Sequence, residues 1–138
     1  EDLGFQGRII DDLERKFGKN DPKVIFRKKF YTLVLLEHFD FVRLKNEQCG
    51  SNIHTILFFY SNEEDGAKES EDLGKILGVL HSRYEDLTIY SFDANLNVSL
   101  IDDLKDKYLI QNVPELIIDE KIRIGKVSNI KDIEQYLE

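Results

Sequence analysis

The run Ile56-Leu57-Phe58-Phe59-Tyr60 is apolar throughout and has the length of a β-strand. A continuous apolar run predicts a strand that is buried on both faces, as in a parallel sheet covered by helices. Ser61 and Asn62 follow the run, and residues 63–65 are all acidic. Serine and asparagine cap helices, and acidic side chains favour the positive end of a helix, so the sequence predicts that a helix begins here.

Alternating strand and helix patterns continue to the end of the chain. The helix after Ser61-Asn62 carries a buried stripe at Leu73, Ile76, Leu77, Leu80 and Tyr84. The later predicted elements are a strand at Leu87–Asp93, a helix capped by Asn97 or Ser99, strands at Glu115–Ile118 and Lys121–Gly125, and a final helix opened by Ser128 or Asn129. The order β-α-β-α-β-β-α predicts an α/β domain.

Two helical patterns precede this domain. The first covers residues 1–20 and stops near Gly18, and the second runs from Pro22 to about Gln48. Asp21 can cap the second helix, whose first position tolerates proline. A broad apolar face is predicted for that helix at Val24, Ile25, Phe30, Val34, Leu35, Phe39 and Val42. We therefore predict two domains: residues 1–49 as an N-terminal helical hairpin or spacer, and residues 50–138 as the α/β domain.

The charge distribution excludes several classes of partner. The net charge is −8, and residues 50–138 hold 18 acidic against 9 basic side chains. A domain this acidic repels phosphate backbones and anionic lipid, so we expect no nucleic-acid partner. The sequence contains no apolar run long enough to cross a bilayer, so we expect no membrane span in this chain.

Metal and cofactor signatures are also missing from the sequence. Cys49 is the only cysteine, which excludes an intramolecular disulfide and a multi-cysteine zinc site. His38, His54 and His81 share no zinc-ligand spacing, and there is no glycine-rich phosphate loop. We therefore expect neither a metal nor a cofactor.

Several ordered segments resemble the thioredoxin family. They are the strand leading to Ser61, the strand that ends in Asp93 with Asn95 after it, the segment Val113–Ile118 with its proline, and Gly125. The resemblance covers roughly residues 52–138. It implies a thioredoxin-like fold, a central mixed sheet flanked by helices, to which the N-terminal helical hairpin is added. It also implies that the Val113–Pro114 peptide bond is cis.

The layout as a whole, a helical segment followed by a thioredoxin-like domain, is similar to small archaeal membrane-anchored proteins. That similarity implies an anchoring segment upstream of Glu1. Without such a segment, a cytoplasmic location is the expectation.

The cysteine motif that gives this family its chemistry is absent from the matching positions of this sequence. The family begins the helix after its first strand with Cys-x-x-Cys, and the matching positions are Glu64, Asp65, Gly66 and Ala67. Neither end of this tetrapeptide is a thiol, and disulfide exchange needs an attacking and a resolving thiol. Glu115 stands where the family often has threonine after its proline. We therefore expect no dithiol oxidoreductase activity.

Three functional hypotheses remain. The first is a redox-inactive binding or scaffold domain, because in the family the residue before the cis-proline pairs with extended peptide, and this residue is Val113, flanked by Pro114 and Glu115. The helical hairpin would then be a spacer, a brace or a homo-oligomerisation surface. The second is a divergent thiol oxidoreductase that uses Cys49 alone. The third is a purely structural domain without a peptide groove.

Overall fold

A computed structural model describes the backbone of residues 3–138 and the side chains of residues 8–138. The chain divides into two compact units, of which the first ends at Arg43 and the second spans Leu44–Glu138. The predicted domain boundary at 49/50 lies at the end of a helix that continues past this division. The helices are α1 (Leu3–Phe17), α2 (Pro22–Cys49), α3 (Ala67–Arg83), α4 (Ser99–Lys107) and α5 (Lys131–Glu134), and the strands are β1 (His54–Tyr60), β2 (Leu87–Asp93), β3 (Glu115–Ile118) and β4 (Ile122–Ile124).

The four described strands form one mixed sheet in the order β2-β1-β3-β4. Strand β1 pairs in parallel with β2 and antiparallel with β3, and β3 pairs antiparallel with β4. The register places Phe59 between Phe92 on β2 and Glu115 on β3. This architecture confirms the predicted α/β class and the central mixed sheet flanked by helices.

One face of the sheet builds an apolar core with α3 and α5. Ile56 and Phe58 project to this face, as period-two alternation along β1 requires. The buried members of this core are Ile56, Phe58, Leu73, Leu77, Leu80, Leu87, Leu116, Ile118, Ile133 and Leu137. The helical stripe predicted after Ser61-Asn62 therefore faces the sheet.

The opposite face is equally apolar, which is why β1 reads as a continuous hydrophobic run. Its central side chains Leu57, Phe59, Tyr90 and Phe92 are at most 1 % exposed. The rings of Phe59 and Phe92 lie 5.6 Å apart between centroids, in a tilted arrangement. Burial raises the pKa of the Tyr90 hydroxyl far above its usual range, so this side chain stays neutral within the core.

The first unit is the predicted antiparallel helical hairpin. Gly18 ends α1 with a positive φ of 88°, and Asp21 Oδ1 accepts a hydrogen bond of 2.8 Å from the Lys23 backbone N–H at the start of α2. The Lys28 ammonium lies 3.0 Å from the Glu14 carboxylate and ties the two helices together. Lys28 is only 5 % exposed, so this ion pair satisfies a charge that would otherwise be buried alone.

The apolar residues of α2 lie on two faces rather than on the single broad face predicted. The buried stripe consists of Val24, Lys28, Thr32, Leu35, Phe39 and Val42, which recur at intervals of three and four residues. Phe30, which we predicted on that stripe, is 49 % exposed on the other side of the helix. The sequence is ambiguous here because apolar residues surround the helix, so the helical period cannot select one of the two faces.

Side-chain capping of α4 was predicted wrongly. The residue before its first turn is Val98, in an extended conformation, and no side chain hydrogen-bonds to the free amides at this end. Neither Asn97 nor Ser99 acts as the cap, since Ser99 is already the first helical residue. The helix bounds follow the predicted pattern, but the cap does not.

The turn between β3 and β4 uses two non-glycine residues in the left-handed region. Asp119 and Glu120 have φ values of 53° and 61°. Asp119 is held in place by its side chain, since Oδ1 accepts the Thr55 N–H at 3.0 Å and Oδ2 lies 2.9 Å from His54 Nδ1. Its own N–H donates to the Thr55 carbonyl at 2.8 Å, which extends the pairing between β1 and β3. Asp119 therefore fastens the hairpin to the beginning of the central strand.

We predict that Asp119→Ala lowers the free energy of unfolding by about 2 kcal/mol, because alanine loses the side-chain hydrogen bonds and tolerates the left-handed conformation less well than aspartate. Asp119→Asn is the matched control, because asparagine keeps an acceptor oxygen and tolerates this conformation; its loss should stay below about 1 kcal/mol. Urea unfolding of both variants measures the difference. Equal losses would show that the hydrogen bond to Thr55 does not hold this turn.

Candidate functional site

One edge of the sheet gathers the residues that the sequence singled out. The carboxyl end of β1 and the amino end of β3 meet there because the two strands are antiparallel. The approach is close: a Cβ added to Gly66 would lie 2.8 Å from the Val113 carbonyl oxygen and 3.6 Å from Ser61 Cβ. The structure thus places Gly66, in the tetrapeptide Glu64-Asp65-Gly66-Ala67, beside Val113, in the segment Val113-Pro114-Glu115, which we call the proline segment.

The tetrapeptide lies mostly outside the helix that we expected it to begin. Helix α3 starts at Ala67, with Gly66 as the preceding cap residue at a φ of 91°. The Ser70 N–H donates the first helical hydrogen bond, of 2.9 Å, to the Gly66 carbonyl. Glu64 and Asp65 are exposed in the turn before α3, and the predicted capping by Ser61-Asn62 is wrong.

Ser61 and Asn62 do not cap α3 because a hydrogen-bond network at the ends of β1 and β2 engages them. Asn95 Oδ1 accepts hydrogen bonds from Ser61 Oγ at 2.8 Å and from the Asn62 N–H at 3.3 Å. The Asn62 side-chain amide donates to Asp93 at 3.4 Å, and the Asn95 N–H donates to the same carboxylate at 2.9 Å. This network joins the loop after β1 to the loop after β2 and lowers the freedom of the chain that leads into Gly66.

The proline segment offers backbone groups rather than reactive side chains. The Val113–Pro114 peptide bond is cis, the isomer that the resemblance implies. Both residues are half-buried. Within residues 3–138, the structure gives the Val113 N–H and carbonyl no hydrogen-bond partner. The carbonyl lies against Gly66, which leaves the N–H as the freer of the two groups.

The Glu115 carboxylate is engaged inside the domain. Its Oε1 atom lies 2.6 Å from Arg123 Nη1, and the Glu115 side chain is 8 % exposed. Arg123 also donates to the backbone carbonyls of Tyr108 and Leu109, just beyond the end of α4. Arg123 thereby links β4, β3 and α4, and it neutralises a carboxylate that would be costly to bury alone. Arg123 was not predicted from the sequence. The available signal was Glu115, because a carboxylate at an inward-facing position of β3 requires a cation nearby.

Cys49 lies at the other edge of the sheet. It is exposed, and it is the last residue of α2, shortly before the amino end of β1. Seven strand residues separate that end from Ser61, which corresponds to about 20 Å. The Asn46 side chain fixes the connection, since it donates to the Ile53 carbonyl at 2.9 Å and accepts from the Ile53 N–H at 3.0 Å. The structure therefore does not bring Cys49 to the proline segment.

The part of the chain that the structure describes shows neither a cluster of metal ligands nor a membrane-spanning helix. In residues 3–138, no group of three or more histidine, cysteine, aspartate or glutamate side chains is arranged to hold a metal ion. Over the same part of the chain, no helix is both long and apolar enough to cross a membrane.

Comparison with known proteins identifies the fold. Thioredoxin O2 from Arabidopsis thaliana, in its oxidised state, superposes with a TM-score of 0.53 at 18% sequence identity, over 73% of this chain and 84% of that one. Mitochondrial thioredoxin 3 from Saccharomyces cerevisiae gives a TM-score of 0.46 at 17% identity, over 69% and 86% of the two chains. A designed protein gives 0.47 at 23% identity, over 67% and 79%. No protein-family model matches the chain, and no curated protein sequence is significantly similar to it.

The second unit is an α/β domain with a mixed sheet and a cis-proline at the start of an antiparallel strand. Its architecture is the thioredoxin fold. The chain carries this fold with a single cysteine and no disulfide. Fold alone does not define an activity, so function must be argued from the edge that holds Gly66 and the proline segment.

We predict that Gly66→Ala lowers the free energy of unfolding by about 2–3 kcal/mol, because the new methyl group meets a backbone carbonyl at a positive φ. Gly78→Ala is the matched control: it lies within α3 with nothing within 4 Å of its added Cβ, and it should gain about 0.5–1 kcal/mol. Urea unfolding gives both values. A neutral Gly66→Ala would mean that the turn and the proline segment are not in contact.

Proposed function

We propose that this is a redox-inactive thioredoxin-fold domain that binds an extended segment of peptide or protein at the proline segment. The observation that supports the proposal is that two features occur together at one edge of the sheet. The tetrapeptide positions have no thiols, and the Val113 backbone beside them makes no hydrogen bond within the described residues. The fold would then keep its recognition element without its chemistry.

The side chains at the tetrapeptide support the loss of activity. Dithiol exchange proceeds through attack by a thiolate, and a second thiol then resolves the mixed disulfide. Glu64 offers a carboxylate and Ala67 a methyl group, neither of which can form a bond to sulfur in this way. Glu115 is paired with Arg123 and supplies no free base at the site.

We predict that the protein does not reduce insulin disulfides with dithiothreitol above the rate of dithiothreitol alone, because it lacks both exchanging thiols. An ordinary thioredoxin serves as the positive control. The same assay with glutathione tests the alternative oxidoreductase, which the exposure of Cys49 favours. Turnover that disappears in Cys49→Ser would support that alternative; turnover that persists in Cys49→Ser would contradict both readings.

Recognition by the proline segment would use backbone pairing. An extended peptide adds to an unpaired backbone through N–H and carbonyl groups, and the flanking side chains select its sequence. Glu63, Glu64 and Asp65 are exposed next to Gly66, and the chain carries a net charge of −8. The expected ligand is therefore an extended segment that carries lysine or arginine.

A synthetic peptide of four Val-Lys repeats tests this binding by NMR titration of the labelled protein. We expect shifts of the Val113 and Gly66 amide signals, and weaker binding by about tenfold in Glu64→Lys/Asp65→Lys. Asp102→Lys/Asp103→Lys makes the same charge change at exposed positions of α4 and is the matched control. A Val-Glu peptide should not bind.

Two results would count against peptide recognition at this edge. Shifts confined to other regions would place the peptide elsewhere. Equal weakening by both double variants would show that the peptide responds only to net charge.

A further inference from the structure

The chain between α4 and the proline segment contains a residue in an unfavourable backbone conformation. Leu109 has a φ of 55°, in the left-handed region that glycine adopts freely and leucine does not. The Ile110 N–H donates a hydrogen bond of 2.9 Å to the Lys105 carbonyl, the pattern with which a helix ends at a left-handed residue, usually glycine. Strain of this kind persists only where the surrounding structure enforces it.

Residues 109–112, which we call the approach segment, have little support of their own. The Leu109 side chain is 68 % exposed, so its packing does not offset the strain at this residue. Gln111 and Asn112 are exposed as well. Within residues 3–138, the structure gives the backbone of residues 111–113 no hydrogen-bond partner. The conformation of the approach segment must therefore be enforced by a group outside it.

The Arg123 guanidinium is that group. It donates to the Tyr108 carbonyl through Nη2 and, at 2.8 Å, to the Leu109 carbonyl through Nη1. Nη1 also lies 2.6 Å from Oε1 of Glu115, the residue directly after Pro114. One planar group thus fixes the chain on both sides of the approach segment, a geometry that the single ammonium of a lysine does not reproduce.

We propose that Arg123 is a positioning residue for peptide recognition. It holds Leu109 in the left-handed conformation and thereby fixes the direction of the Val113 N–H, without itself touching the ligand. This inference rests on the function proposed above and adds what prepares the backbone group for binding. A segment that is already ordered loses less conformational entropy when a ligand binds, so order in the approach segment raises the affinity for peptide.

A paired substitution removes the Arg123 contacts without leaving a charge buried alone. Arg123→Ala would leave the Glu115 carboxylate unpaired at 8 % exposure, so the variant to use is Glu115→Gln/Arg123→Met, which keeps the net charge of the chain. We expect it to raise the dissociation constant of the peptide of four Val-Lys repeats by about tenfold in NMR titration. Glu115→Gln alone is the matched control: it keeps both carbonyl contacts of Arg123 and should change the constant by less than about threefold.

Glycine at position 109 separates positioning from a general loss of stability, because glycine adopts the left-handed conformation without support. We expect Leu109→Gly, added to the paired substitution, to return the dissociation constant to within about threefold of the wild-type value. A loss of affinity caused by a damaged fold would not be repaired by a substitution that adds no contact. Urea unfolding of each variant gives the fraction that is folded under the conditions of the titration.

The order of the approach segment is measured in the free protein, without peptide. Backbone amide relaxation by NMR should give order parameters near about 0.85 for residues 110–112 in the wild-type chain. In Glu115→Gln/Arg123→Met we expect these order parameters to fall below about 0.6, and in Glu115→Gln we expect them to stay at the wild-type level.

Failure of the proposed function and failure of this inference give different results. A wild-type chain that binds no peptide at the proline segment would overturn both. Wild-type binding that the paired substitution leaves unchanged would overturn the inference alone. Unchanged order parameters in the paired variant, or an added Leu109→Gly that restores no affinity, would also overturn the inference and leave peptide recognition in place.

Discussion

Strand β1 is hydrogen-bonded along both of its edges and buried on both of its faces, and the rest of the second unit depends on this position. Its edges pair with β2 and β3, and its alternate side chains enter two separate apolar layers. After the carboxyl end of β1 the chain continues to Gly66, which lies near the amino end of β3. The candidate site is formed by this proximity. A central strand with two hydrogen-bonded edges and two buried faces keeps its register even when an irregular loop follows its last residue.

The parts of this fold that the sequence predicts well are those whose signal is local. The bounds of β2 and β3 follow from their composition and flanking turns, and the hairpin between α1 and α2 follows from Gly18 and Asp21. The predicted start of α3 was wrong. Serine is a good helix cap, but Ser61 is hydrogen-bonded to Asn95, a residue more than thirty positions away in the sequence. Local chemistry cannot reveal which of two partners a polar side chain selects.

In the candidate site too, features with a local sequence signal were predicted and features set by tertiary contacts were not. The sequence predicted, from the distance to β1, that Glu64–Ala67 stand in place of the thiol motif; the structure shows that Gly66 of this tetrapeptide lies against the Val113 carbonyl. The Arg123 contacts were not predicted, since they join β4 to β3 and to the end of α4 through tertiary structure alone. The division of the apolar residues of α2 between two faces was not predicted for a different reason: a helix that is apolar on two sides gives no net direction to its hydrophobic pattern. Both omissions concern tertiary structure, which a single chain's periodicity does not encode.

The pairing of β1 with β3 has a kinetic consequence. Ile56 pairs with Ile118, so the chain must be synthesised as far as β3 before the second edge of β1 can be paired. Non-local pairing of this kind slows folding, because loop closure precedes the stabilising contacts. Until β3 arrives, the chain presents an unpaired edge on its most hydrophobic segment, and such edges recruit other chains. The apolar run of β1 is thus also the segment most prone to aggregation during synthesis, and we expect chaperones to bind there.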